Sequence, residues 1–207
     1  QGVELRSVAM TNDAAIHGWA DDPIDFLRAM NVRWYADPTV AADTLVGLRV
    51  VARHPELPLR LFEVPDPLPR AYLVSEYELA EGPAGALARS LESDFPLGKR
   101  VVLETIPTPA SMTGTGRILS ADFEQNRIRF RTSTSGPMLL VLNDRHYPGW
   151  RARVDGDDVP ILRAGGIFRA IPIPSGDRAV ELRFRPSALR LSVFISLAGL
   201  LALLGLA

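Results

Sequence analysis

The densest concentration of polar and aromatic groups in the 207-residue sequence is Asn143-Asp144-Arg145-His146-Tyr147-Pro148-Gly149-Trp150. Tyr147 and Trp150 offer ring faces on which the C–H surface of a sugar can stack. Asn143, Asp144 and His146 supply the donors and acceptors that would fix its hydroxyls. The same residue types also suit a turn closed by Pro148-Gly149, with Trp150 opening a strand and packing inward, and this structural reading is the one they favour. A second constellation is cationic. Arg127, Arg129 and Arg131 recur at every second position, as do Arg151 and Arg153, and Arg183 and Arg185. If these stretches are paired strands, the arginines share a face and build a broad basic surface. Guanidinium groups match phosphate oxygens two at a time, so such a surface could meet anionic headgroups or a lipid phosphate. The alternative is a solvated outer face with Glu124, Asp144 and Glu181 as counter-charges.

Other combinations carry less chemistry. Asp155, Asp157 and Asp158 do not follow the spacing of a calcium loop. His17, His54 and His146 lack metal-ligand spacing, and there is no cysteine to supply a thiolate or a disulfide. Gly114-Thr-Gly116 lacks the third glycine and the strand–helix context of a dinucleotide fingerprint. Glu76, Glu78 and Glu81 read as a solvated acidic edge rather than a catalytic pair. No serine elbow or phosphate loop is present. The sequence therefore predicts no catalytic residue, no metal and no cofactor within this chain. Charge is uneven: residues 1–95 hold 8 basic and 15 acidic side chains, residues 96–207 hold 15 and 9. The small overall charge of −1 argues against nucleic acid.

These groups need elements to hold them. In the first part, Asp21-Asp22-Pro23 reads as a helix start, followed by the apolar positions Ile24, Phe26, Leu27 and Met30. Strands are predicted at 31–35, 48–52, 59–64 and 70–74, with Pro65, Pro67 and Pro69 as a stiff connector and a helix over 84–91. From Lys99 the apolar period changes to two. Strands are predicted at 100–106, 116–123, 127–133, 138–143, 150–154, 158–163, 167–173 and 178–185. Asp155-Gly156 suits a two-residue hairpin turn, because both central positions need positive φ. The expected fold is α+β: a mixed α/β module over 1–98, then an antiparallel β-sandwich of jelly-roll or immunoglobulin-like type over 99–186.

The chain closes on Leu191–Ala207, seventeen residues without a charge. As a helix they would span about 25 Å, a little under the hydrocarbon core. A truncated transmembrane helix over 187–207 is therefore expected, in a chain read as cut from a longer membrane protein.

The order of motifs in the second half has a relative. Leu139-Leu-Val-Leu-Asn-Asp144, Tyr147-Pro-Gly-Trp150, Val154-Asp-Gly156, Pro160-Ile-Leu-Arg-Ala164, Phe168-Arg-Ala-Ile-Pro172 and Val180-Glu-Leu-Arg-Phe-Arg-Pro186 resemble the bacterial YfhO family of polytopic membrane proteins. Met30–Tyr35, Leu59–Val64 and Leu68–Ala71 look like its weaker upstream segments; 75–98 has no counterpart. That family is similar to the GT-C glycosyltransferases, which take sugars from polyprenyl-phosphate carriers at the outer face of the cytoplasmic membrane. The resemblance implies an extracytoplasmic, non-catalytic domain, the catalytic acid lying in an early loop that this chain does not include. Its implied partners are the lipid bilayer, the rest of the parent protein, and a polyprenyl-phosphate sugar or cell-envelope glycan. A structural or protein-interaction domain of an envelope assembly is the competing reading. Arg183, Arg185 and Arg190 beside the apolar run would favour a cytoplasmic flank, but long translocated domains escape that rule.

Overall fold

A computed structural model describes residues 8–9, 23–37, 48–56 and 59–186. The expected transmembrane helix over 187–207 lies outside the described residues. Among the described residues no helix is long and apolar enough to cross a membrane.

The first unit is small. Helix α1 (Pro23–Ala29) starts at the predicted proline and ends where Asn31 takes φ 58°. It packs Ile24 and Leu27 on Val32, Tyr35, Phe62 and Val64. A four-stranded sheet supplies those partners, in the order β1 (Val8–Ala9), β2 (Trp34–Asp37), β4 (Arg60–Glu63), β3 (Arg49–Arg53).

Two larger sheets follow. One has six strands in the order β5 (Ala71–Val74), β10 (Met138–Leu142), β14 (Phe168–Ile173), β13 (Leu162–Ala164), β7 (Arg100–Leu103), β6 (Glu76–Leu79). The other has five: β12 (Asp157–Val159), β11 (Trp150–Val154), β15 (Gly176–Phe184), β9 (Arg127–Thr134), β8 (Gly116–Phe123). They pack face to face. Leu140, Leu142, Ile171 and Ile173 of the first meet Ile128, Phe130, Val154, Val180 and Leu182 of the second. The predicted alternation holds in β15, where Val180 and Leu182 are buried and Arg183 is half-exposed.

The six-stranded sheet is covered on its second face as well. Val74, Leu103, Leu139, Val141, Ala164 and Ala170 form a separate cluster with Met112 and Ala29. Every residue of β10 and β14 is consequently buried. A continuous apolar run such as Met138–Leu142 is the signature of a strand covered on both sides.

Three features depart from the sequence expectation. The stretch 158–163 is not one strand: β12 pairs with β11 in one sheet and β13 with β14 in the other. Pro160 lies between them and has no N–H to continue a ladder. The sandwich is not wholly antiparallel, since β6 and β7 run parallel, joined through helix α2 (Gly82–Ser90). Ala86 of that helix packs with Val102 and Phe95, the usual way a crossover helix covers a parallel pair. Finally, the 98/99 boundary falls inside the six-stranded sheet, because β5 and β6 precede it and β7 follows it.

The Asp155-Gly156 hairpin forms as predicted. Val154 pairs with Asp157, and the two turn residues take φ 52° and 99°, the positive values a type I′ turn requires.

Candidate functional site

The polar–aromatic segment 143–150 lies at one end of the sandwich, where β10 leaves the six-stranded sheet and β11 enters the five-stranded one. Its members part company there. Asp144 turns inward and its side chain is only 17% exposed. It accepts two hydrogen bonds from Arg70, Nε to Oδ1 at 2.9 Å and Nη2 to Oδ2 at 3.1 Å. A third comes from Arg169, Nη2 to Oδ2 at 3.1 Å. Asp144 is thus a structural anchor rather than a counter-charge for the outer arginines.

Arg169 is the residue that sequence reasoning passed over. It sits in β14 between Phe168 and Ala170, and its side chain is 4% exposed. Its guanidinium lies 4.4 Å from the centroid of the Trp150 ring, and Nη1 has no hydrogen-bond partner. Burial holds its pKa below the ordinary arginine value, Asp144 acts against that, and Arg70 adds to it. The signal was available: a single arginine in an otherwise apolar run is buried with its neighbours and needs a counter-charge.

Trp150 is half-buried and packs tilted at 45° against Phe184 with centroids 5.5 Å apart; Tyr147 reaches the same ring at 6.3 Å. Tyr147 itself is 58% exposed. Beside the two rings is an open depression of about 350 Å³ whose walls include His146, Tyr147, Trp150, Arg151, Asp158 and Ile161. His146 has its pKa lowered, first by burial and then by the positive charge of Arg163. Neutral imidazole, a carboxylate, a guanidinium and an aromatic ring around one depression make a site able to stack on and hydrogen-bond a polyhydroxylated ligand. The structure therefore brings His146, Tyr147, Trp150 and Arg151 together and leaves Asp144 behind them, holding Arg169 under the Trp150 ring.

The other predicted arginines share the outer face of the five-stranded sheet, because the three strands do pair. Register aligns Asp122, Arg129, Glu181, Arg153 and Asp158 across all five strands, with charge alternating at each step. Arg129 donates to Asp122 and Glu124, both at 2.6 Å, and Arg153 to Asp158 at 2.7 Å. One pleat away, Arg127, Arg183 and Arg151 oppose one another, and Glu181 accepts from Arg127 and Arg183. Arg131, Arg151 and Arg185 make no ion pair with another described residue. Arg127, Arg129, Arg131 and Arg153 line a wide concavity of about 680 Å³ together with Asp155 and Glu181. Opposite charges are mixed through it, which fits the counter-ion reading better than a uniform basic field.

Of the three glutamates, two are paired. Glu78 takes Arg89 of α2 and Arg100 of β7, and Glu76 takes Arg100, while Glu81 is exposed. Gly114 of the Gly-x-Gly stretch serves packing: a Cβ there would stand 2.3 Å from the Gly136 oxygen. Among the described residues no group of three histidines or carboxylates could hold a metal ion.

Comparison with known proteins bears on the same half. Residues 117–196 match the family model described as bacterial membrane protein YfhO. The match runs from β8 through β15 and into the apolar run, and covers less than half of the chain. The family resemblance read from the motifs is thereby shown for that stretch. Strands β5 to β7 lie outside it although they complete the six-stranded sheet. No curated protein and no solved structure matches the chain.

Proposed function

We propose that this chain, similar over residues 117–196 to bacterial membrane protein YfhO, is a non-catalytic extracytoplasmic domain that holds a glycan or the sugar of a lipid-linked donor. The observation that carries the reading is the depression beside Tyr147 and Trp150. The exposed Tyr147 ring lines it together with His146, Arg151 and Asp158, at the end of the sandwich from which the chain enters its apolar run. The glycosyltransferase setting comes from the family resemblance and assigns no catalytic role to any residue here. The proposed organisation has a membrane anchor over 187–207 and the sandwich outside the membrane.

The test is binding by the full chain in lipid nanodiscs, titrated with a polyprenyl-phosphate monosaccharide and screened on a glycan array. Tyr147→Ala spares the fold, because the ring is largely solvent-exposed, and should weaken binding about fivefold, the value of one stacking contact. If neither probe binds, the site holds no carbohydrate and the domain is structural. The paired state of most outer-face arginines favours that second reading for the opposite part of the sheet.

A further inference from the structure

The five-stranded sheet is polarised along its strands. At the Trp150 end stand Arg151, Arg183 and Arg127 in one cross-strand row, with Arg185 just beyond. The other end carries the Asp155-Gly156 turn, Asp157 and Asp177, with Arg178 paired to Asp155 and Arg117 in the same row as Asp177, so its charges are mixed. Of the four arginines, Arg127 and Arg183 share the single carboxylate Glu181. Arg151 and Arg185 are exposed and have no ion pair among the described residues; Asp158, whose charge they feel, is engaged by Arg153. Tyr147, Trp150 and Phe184 cluster at the same end, with the Tyr147 ring projecting into solvent.

Only four residues separate Pro186 from Leu191, where the uncharged run begins. Even fully extended, such a connector reaches no more than about 17 Å. The basic and aromatic end is thus held close to whatever surface receives that run, while the Asp155-Gly156 end stands at least the length of β11 away. Arginine beside exposed aromatic rings is the composition that settles at a charged lipid interface.

We infer that the Arg127–Arg151–Arg183–Arg185 end of the sandwich docks on anionic phospholipid headgroups, so that the five-stranded sheet stands upright on the membrane with its Asp155-Gly156 turn pointing away. This rests on the membrane attachment proposed above but not on carbohydrate recognition. Arg151 and Arg185 supply the free guanidinium groups for the phosphates, and Tyr147 enters the headgroup layer beside them. The far end has no such cluster of unpaired arginines and aromatic rings, which fixes the direction.

The chain has no cysteine, so one introduced thiol gives a single labelling position. Asn126→Cys reports the docking end, since its carbonyl accepts from the Phe184 N–H at 2.9 Å; Asp157→Cys reports the far end. Each labelled full chain is reconstituted in vesicles of phosphatidylcholine with or without phosphatidylglycerol, both carrying a nitroxide-headgroup quencher. With phosphatidylglycerol, quenching at 126 should exceed that at 157 at least about twofold, and the excess should fall by about half in Arg151→Glu/Arg185→Glu. Arg151→Lys/Arg185→Lys should retain it. Equal quenching at the two positions, or an excess indifferent to lipid charge and to the Glu pair, overturns the docking while leaving the anchor intact. Failure of the chain to float with the vesicles removes the anchor and the docking together.

Discussion

Replacing Asp144 by alanine tests the buried anchor beneath the aromatic site. The carboxylate serves two guanidinium groups in different surroundings. Arg70 is 47% exposed, so its lost pair costs less than about 1 kcal/mol. Arg169 is 4% exposed and would keep a buried charge with no carboxylate, already short of one hydrogen-bond partner at Nη1. Removing one member of such a pair costs about 3 kcal/mol, because the survivor pays its desolvation without return. For a folded region of this size that lowers Tm by about 8 °C. The double variant Asp144→Ala/Arg169→Met removes the stranded charge and keeps a polarisable chain against the Trp150 ring. It should lie within about 1 kcal/mol of the native protein. The assay is thermal unfolding of the full chain in nanodiscs by circular dichroism, with native, single and double variants side by side. A single variant losing less than about 1 kcal/mol, or a double variant less stable than the single, would refute the view of Arg169 as a charge held in place by Asp144.

Contrasting outcomes are expected elsewhere. Arg129→Ala removes one of the two cations of the alternating ion row yet should cost less than about 1 kcal/mol in the same unfolding assay, because its partners are exposed and screened by salt. Gly114→Ala should cost about 2 kcal/mol, since the new methyl meets the Gly136 carbonyl and neither backbone can retreat without losing the Thr113 and Gly114 N–H bonds to Pro137. Acid should destabilise the fold in a fixed direction. Asp155 is held below the usual carboxylate range by the Ala179 N–H and then Arg178, Asp158 by Arg153, and Glu78 by Arg89 and Arg100. The unfolded chain therefore binds more protons than the folded one as pH falls, so this stability is complete above about pH 5 and is lost as pH drops through the depressed folded values. Melting curves between about pH 7 and pH 3 should show a falling Tm, and a Tm that rises on acidification would contradict the sign.

Much of the sandwich was legible because one face of each outer strand is wet. Arg127 to Arg131 and Val180 to Phe184 alternate, and both strands lie where the alternation put them. The Asp155-Gly156 turn was legible because few dipeptides accept two positive φ angles. Strand β6 was hidden: Glu76 and Glu78 alternate with Tyr77 and Leu79, but the glutamates mark an edge paired to Arg100 and Arg89 rather than an open acidic surface. Pairing of residues 71–79 with strands 20 or more residues later is non-local, and no local pattern announces it. The site was half legible. Residue types identified Tyr147, Trp150 and His146, whereas the inward turn of Asp144 depends on Arg70 and Arg169, brought from 74 and 25 residues away.

The strand order of the six-stranded sheet has a consequence for how the protein must be born. Read across, it runs β5-β10-β14-β13-β7-β6, so the earliest strands form the rims and the latest, β14, lies beside β10 at the heart. A chain emerging from its N-terminus completes both rims by Leu103, before β10 begins at Met138 and β13 at Leu162, leaving the edges of β5 and then β7 open to any passing strand. Closure of the sheet waits for Ile173, shortly before the apolar run begins, so the window of exposed edges shuts only as the proposed anchor is being made.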